Sequence, residues 1–142
     1  MGKILAICIS KKKGGSKDEV NEVELIEDFG LKEDAHGGNW HRQVSLLSNE
    51  KIEDFKKKGG IVRFGSFGEN LIIEGIDLSS LPLGTKLKCN DAILEVTQIG
   101  KECTVRCSIY YSVGDCIMPR EGIFAKVING GKVQKGDEIT VI

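Results

Sequence analysis

Lys86-Leu87-Lys88-Cys89-Asn90-Asp91-Ala92-Ile93-Leu94-Glu95-Val96-Thr97 is the stretch whose reading decides the fold class. Leu87 and Cys89 alternate with lysines, the turn pair Asn90-Asp91 follows, and Leu94 and Val96 alternate with Glu95 and Thr97, so the segment reads as a β-hairpin. Working outward, Leu71–Ile73, Val44–Leu47 and the Val23/Leu25 alternation are further short strands, and the apolar run Ile4–Ile9 predicts a strand covered on both faces. Downstream, Ile123–Ile128, the turn Asn129-Gly130-Gly131 and Ile139–Ile142 predict a second hairpin that closes the chain.

One helix interrupts this pattern. Ser48 is the expected N-cap, Glu50 lies in the first turn, Ile52 and Phe55 share a face, and Lys56-Lys57-Lys58 run into Gly59-Gly60. The lysine triplet therefore reads as a solvated helix end. Short strands in this number favour closure, because closure removes exposed sheet edges. The expectation is a mostly β protein, a closed or nearly closed barrel with one or two short helices, forming a single domain over residues 1–142.

Composition narrows the functional classes. Twenty basic side chains face twenty-one acidic ones, which leaves no global field to recruit nucleic acid or an anionic membrane. The apolar run after Met1-Gly2-Lys3 is too short for a signal peptide, and Lys11-Lys12-Lys13 follow it in the wrong order. No stretch approaches the roughly 20 apolar residues of a membrane helix. The expected address is the cytoplasm, and the odd count of five cysteines reads as reduced thiols.

Chemistry-bearing residues concentrate in three segments. Asp34-Ala35-His36-Gly37-Gly38-Asn39-Trp40-His41-Arg42-Gln43 holds both histidines, the one tryptophan and an arginine fork suited to phosphate or carboxylate. Phe67-Gly68-Glu69-Asn70 is the second. The third runs from Lys101 through Cys103, Arg106, Cys107 and Cys116 to Arg120 and Gly122. Cationic neighbours favour a thiolate, so Arg106, Lys101 and Arg120 mark Cys107 as a candidate nucleophile or soft-metal ligand. Free cysteines are also commonly inert packing residues, and spacing alone leaves both readings of Cys107 open. Cys103-x3-Cys107 and His36-x4-His41 both lack the tight Cys-x2-Cys pair typical of structural zinc, which argues against zinc.

These segments, in this order, resemble the MOSC domain, the module at the C-terminus of molybdenum-cofactor sulfurases that also occurs as short free-standing bacterial proteins. The resemblance rests on Asp34 to Leu47, Gly68-Glu69-Asn70-Leu71, Leu94 to Gln98, Arg106-Cys107, and Gly114 to Phe124, and it covers nearly the whole chain. It implies a barrel-like fold and a role with molybdenum cofactor (molybdopterin) or with sulfur. The hallmark cysteine of the family, thought to ligate molybdenum or to carry sulfur as a persulfide, maps onto Cys107. Lys17, Arg42, Arg106 and Arg120 become candidates for the pterin phosphate. Asn70 becomes a candidate for a pterin edge, and His36 and His41 for the surrounding pocket. A glycine usually precedes the aspartate of the histidine segment in this family; here Glu33 stands there.

The resemblance implies no pyridoxal-phosphate site in so short a chain, so sulfur on Cys107 would come from a partner such as a cysteine desulfurase. Two roles follow: a carrier or binding module in cofactor maturation, or a molybdenum-dependent reductase of N-hydroxylated compounds fed by a partner electron donor. Cys103 and Cys116 would at most assist Cys107.

Overall fold

The computed structural model describes residues 2–10, 17–35, 37, 38, 40, 43–57, 64, 69–99 and 122–142. Its elements run β1 (Gly2–Ile9), β2 (Asp18–Val20), β3 (Glu22–Ile26), β4 (Gly30–Leu31), β5 (Val44–Ser48), α1 (Asn49–Lys57), β6 (Leu71–Glu74), a 3-10 turn at Leu78–Ser80, β7 (Lys86–Cys89), β8 (Ala92–Ile99), β9 (Ile123–Asn129), β10 (Gly131–Gln134) and β11 (Glu138–Val141). Among the described residues, seven strands in the order β11-β7-β8-β9-β5-β6-β1 close into a barrel. Closure is made by β1 against β11, with Gly2 opposite Ile139 and Lys3 opposite Glu138. The expected barrel is what forms.

The deciding hairpin is present as read. Lys86 pairs with Glu95 and Cys89 with Ala92, and Asn90 turns the chain at a φ of 54°, a left-handed conformation that asparagine tolerates better than most side chains. The expected closing hairpin does not form. β9 pairs with β8 and β5, β10 crosses to β3, and β11 pairs with β7 and β1. Gly130 is the point of departure: a Cβ there would lie 2.7 Å from the Leu25 carbonyl oxygen, so only glycine lets the chain hook onto β3 so closely.

Barrel interior and outer face bury separate apolar clusters. Ile4, Ile7, Leu46, Leu71, Leu94, Ile123 and Ile139 belong to the interior, and Val23, Leu25, Leu31 and Val133 of the small β10-β3-β4 sheet pack with them. Ile4 and Ile7 are three apart, which strict alternation would place on opposite faces. A register shift in β1 between Ile4 and Ala6 puts both inside, and leaves Ala6 and Cys8 on the outer face. There α1 lays Ile52 and Phe55 over Leu47, Ile72 and Phe124. Each such side chain contributes roughly 1.5–3 kcal/mol by leaving water.

The helix begins directly after Ser48, but Ser48 does not cap it. Its hydroxyl donates to the Ile76 carbonyl and accepts from the Leu78 N–H, joining the end of β5 to the turn after β6. That turn, thirty residues away in sequence, outcompetes the local cap.

Candidate functional site

The parallel strands β5 and β6 start at the same level of the barrel as β1 ends, with Leu46 beside Leu71 and Leu71 beside Ile7. Asn70, fully buried, joins the three strands at that level. Its N–H donates to the Ser45 carbonyl at 2.8 Å and its carbonyl accepts from Cys8 N–H at 2.7 Å. Its side chain repeats the pattern: Oδ1 accepts from Ser45 N–H at 2.9 Å and Nδ2 donates to the Cys8 carbonyl at 3.0 Å. The amide proposed for a pterin edge thus holds the frame of the site.

Two residues beyond Cys8, the Ser10 N–H donates to Asp34 Oδ1 at 3.0 Å, and the Ser10 carbonyl accepts from Ala35 N–H at 2.7 Å. The same Asp34 oxygen receives Lys17 Nζ at 2.7 Å, with the two side chains 0% and 1% exposed. Ser10 and Lys17 bracket the Lys11–Ser16 stretch, so one carboxylate oxygen gathers both of its ends. The expected phosphate candidate Lys17 therefore has its charge matched by an acid inside the fold.

The loop from Asp34 onward is built on a left-handed residue. Glu33 has a φ of 68°, the conformation that a glycine in its place adopts freely. The departure from the family pattern at this position leaves the turn intact: Asp34 N–H bonds the Leu31 carbonyl, and Gly37 N–H bonds the Asp34 carbonyl. Gly37 lies on the Phe29 ring, closer than any Cβ would allow. Gln43 ends the loop, with Nε2 donating to Asp28 Oδ1 and Oε1 accepting from Val127 N–H, both at 2.9 Å.

The ends of the cysteine segment leave from the same region. Ile99 pairs with Ile123, Ile123 with Leu46, and Leu46 with Leu71, one residue along from Ser45 and Asn70. Cys103, Arg106, Cys107, Cys116 and Arg120 lie outside the described residues, as do His36, His41 and Arg42. What the structure brings together is the frame: Asn70, the Asp34–Lys17 pair, and the flanks of the histidine and cysteine segments.

Two buried atoms in this frame have open valences. Asp34 Oδ2 and Ser45 Oγ are out of water and have no hydrogen-bond partner. Sequence reasoning passed over Ser45 as a binding residue; its signal was a hydroxyl inside the otherwise apolar strand Val44-Ser45-Leu46-Leu47. Such atoms cost about 1–3 kcal/mol each when left unpaired. Among the described residues no group of three metal-ligating side chains occurs. The two described cysteines, Cys8 and Cys89, are free and buried. Burial, with a smaller contribution from Asp137, pushes the Cys89 thiol up to about 11, which makes it inert at neutral pH.

A closed barrel with one outer helix, and a polar frame where β1, β5 and β6 meet, defines the class of this protein. The MOSC domain profile matches residues 32–140, and the chain belongs to that family. Among solved structures it is similar to the YuaD protein of Bacillus subtilis, at 21% identity and a TM-score of 0.80, covering 98% of this chain and 94% of that one. It is similar to YiiM of Geobacillus stearothermophilus (18%, TM-score 0.74, 100% and 75% covered) and of Escherichia coli (19%, TM-score 0.71, 100% and 70% covered). At these identities the likeness is one of fold. Comparison with curated protein sequences returns no match. No helix among the described residues is long and apolar enough to cross a membrane.

Proposed function

We propose that this MOSC domain serves molybdenum-cofactor chemistry, binding a molybdopterin-type group or carrying sulfur as a persulfide on Cys107. The observation that carries the reading is the pairing of Ile99 with Ile123 beside Leu46, which ties both ends of the Cys107 segment to the frame of Asn70, Ser45 and Asp34. The residues fit such a group in one respect: Asp34 Oδ2 and Ser45 Oγ supply buried hydrogen-bonding capacity that the protein itself leaves unused.

In this reading Cys107 is the soft ligand or sulfur carrier. Arg42, Arg106 and Arg120 hold the phosphate, and His36 and His41 line the pocket. Asn70 and Lys17 act through the frame, Asn70 by fixing Ser45 against Cys8 and Lys17 by neutralising Asp34. When bound, the cofactor supplies a metal centre that exchanges oxygen or sulfur with transfer of electron pairs. A cysteine desulfurase is the proposed sulfur donor to a carrier, and a separate reductase the proposed electron source for an enzyme.

The test is metal analysis and intact mass of the protein purified from a host that makes molybdenum cofactor, beside Cys107→Ser. Molybdenum or an added sulfur atom, lost in the variant with the circular-dichroism spectrum unchanged, supports the reading. Equal loading of both proteins overturns it. Molybdenum with turnover of an N-hydroxylated compound by an artificial electron donor selects the enzyme, and a metal-free persulfide selects the carrier.

A further inference from the structure

Trp40 is the one tryptophan of the chain and its side chain is among the exposed large apolar groups, 42% accessible, although it belongs to the loop that the Asp34 hub anchors. The loop does not bury it because its backbone is spent elsewhere: Gly38 N–H bonds the Phe29 carbonyl and Trp40 N–H bonds the Gly38 carbonyl. Gly38, at a φ of 151°, adds no side chain against the ring; the nearest atom to a Cβ built there is Trp40 Cδ1, at 3.9 Å. Beneath the same loop, Asp34 Oδ2 is a buried carboxylate oxygen without a donor. An indole open to solvent recognises a flat π-face, and an unsatisfied carboxylate oxygen recognises N–H groups at a ring edge.

Building on the proposed function, we infer that Trp40 and Asp34 together form the recognition element for a planar heterocycle with N–H donors along one edge. Trp40 stacks on the ring and Asp34 Oδ2 accepts from its edge. A pterin has both features. Lys17 matches the charge of Asp34 through Oδ1, so the other oxygen is suited to a neutral N–H donor and not to a cation. The ring then closes over the two buried groups from the solvent side, and the glycine at 38 leaves room for it.

The test uses the full chain and free pterin, with the single tryptophan as reporter. Saturable quenching of Trp40 emission is expected, corrected for absorption by the ligand. 1,3-Dimethyllumazine keeps the bicyclic ring but lacks N–H donors, and is expected to bind at least about tenfold more weakly. Trp40→Leu, read through the fluorescence of the pterin itself, is expected to lose about tenfold or more, and Trp40→Phe to restore most of it. Equal affinity for the two ligands, unchanged affinity in Trp40→Leu, or no saturable binding of pterin overturns the inference. Repeating the titration on Cys107→Ser separates this inference from the reading it rests on. Trp40-dependent binding that survives while loading never depended on Cys107 leaves the recognition element standing without the thiol chemistry. Loading that needs Cys107 beside pterin binding indifferent to Trp40 overturns the recognition element alone.

Discussion

Asp34 and Lys17 form an ion pair at 2.7 Å with both side chains withdrawn from water, and the same Asp34 oxygen receives the Ser10 N–H. The pair spans the base of the Lys11–Ser16 stretch and the start of the histidine loop. Removing one member of a buried pair leaves the other charge uncompensated, at a cost of about 3–5 kcal/mol. Lys17→Met is therefore expected to destabilise by that amount in urea unfolding, and the double change with Asp34→Leu to cost less than the sum of the single changes. Additive single and double effects would show that the pair is not coupled.

Glu33 pays a backbone penalty that glycine does not. With a φ of 68°, an L-residue here carries about 1–2 kcal/mol of strain, partly offset by the unfolded-state entropy of glycine. Glu33→Gly should stabilise by up to about 1 kcal/mol, a rise of roughly 3 °C in Tm. Glu33→Val should lower it. Calorimetry showing the opposite order would mean that the Glu33 side chain makes a compensating contact.

Asn70 tests the frame directly. Asn70→Asp keeps an acceptor for Ser45 N–H but turns the donor aimed at the Cys8 carbonyl into a second acceptor. The carbonyl is left facing a like partial charge in a buried place, so a loss of about 2–4 kcal/mol is expected at neutral pH. Hydrogen exchange should accelerate at Cys8 and Ser45 together, because one side chain serves both strands. Faster exchange at only one of them would assign Asn70 to a single strand.

The thiols should sort by environment. With burial raising Cys89 to about 11 from a model value of 9.0, the folded state keeps its proton where the unfolded state has lost it. The Cys89 contribution is therefore intact below about pH 9 and is lost as pH rises through about 11, on the order of 3 kcal/mol. Urea midpoints at pH 8.5 and 11 should fall further for the wild type than for Cys89→Ala. At neutral pH, brief alkylation and peptide mapping should label Cys107 before Cys8 or Cys89; earlier labelling of either buried thiol would contradict their packing.

How much of this was legible in one dimension differs by element. The Lys86–Thr97 hairpin needed only an alternation of period two and a turn pair, both local properties, and it stands as read. The family was legible because its short motifs keep their order and spacing, each too weak alone. Barrel closure followed as a general consequence of many short strands. By contrast, the partner of β11 depended on Gly130 admitting the chain to within van der Waals distance of Leu25, and nothing near residue 130 specifies residue 25.

The sequence by itself determined the class: a β-barrel of MOSC type, with its chemistry confined to three named segments. Only the tertiary structure decided what the polar residues do. Ser48 reads as a helix cap because capping is local, yet its hydroxyl serves the Ile76–Leu78 turn. Lys17 and Asn70 read as ligand contacts because cations and amides usually face solvent, yet the fold buries them as the ties between β1, β5 and the histidine loop. Ile4 and Ile7 share an interior because a bulge resets the alternation between them. In each case the outcome depends on which distant strand is hydrogen-bonded alongside, a long-range register that local periodicity does not carry.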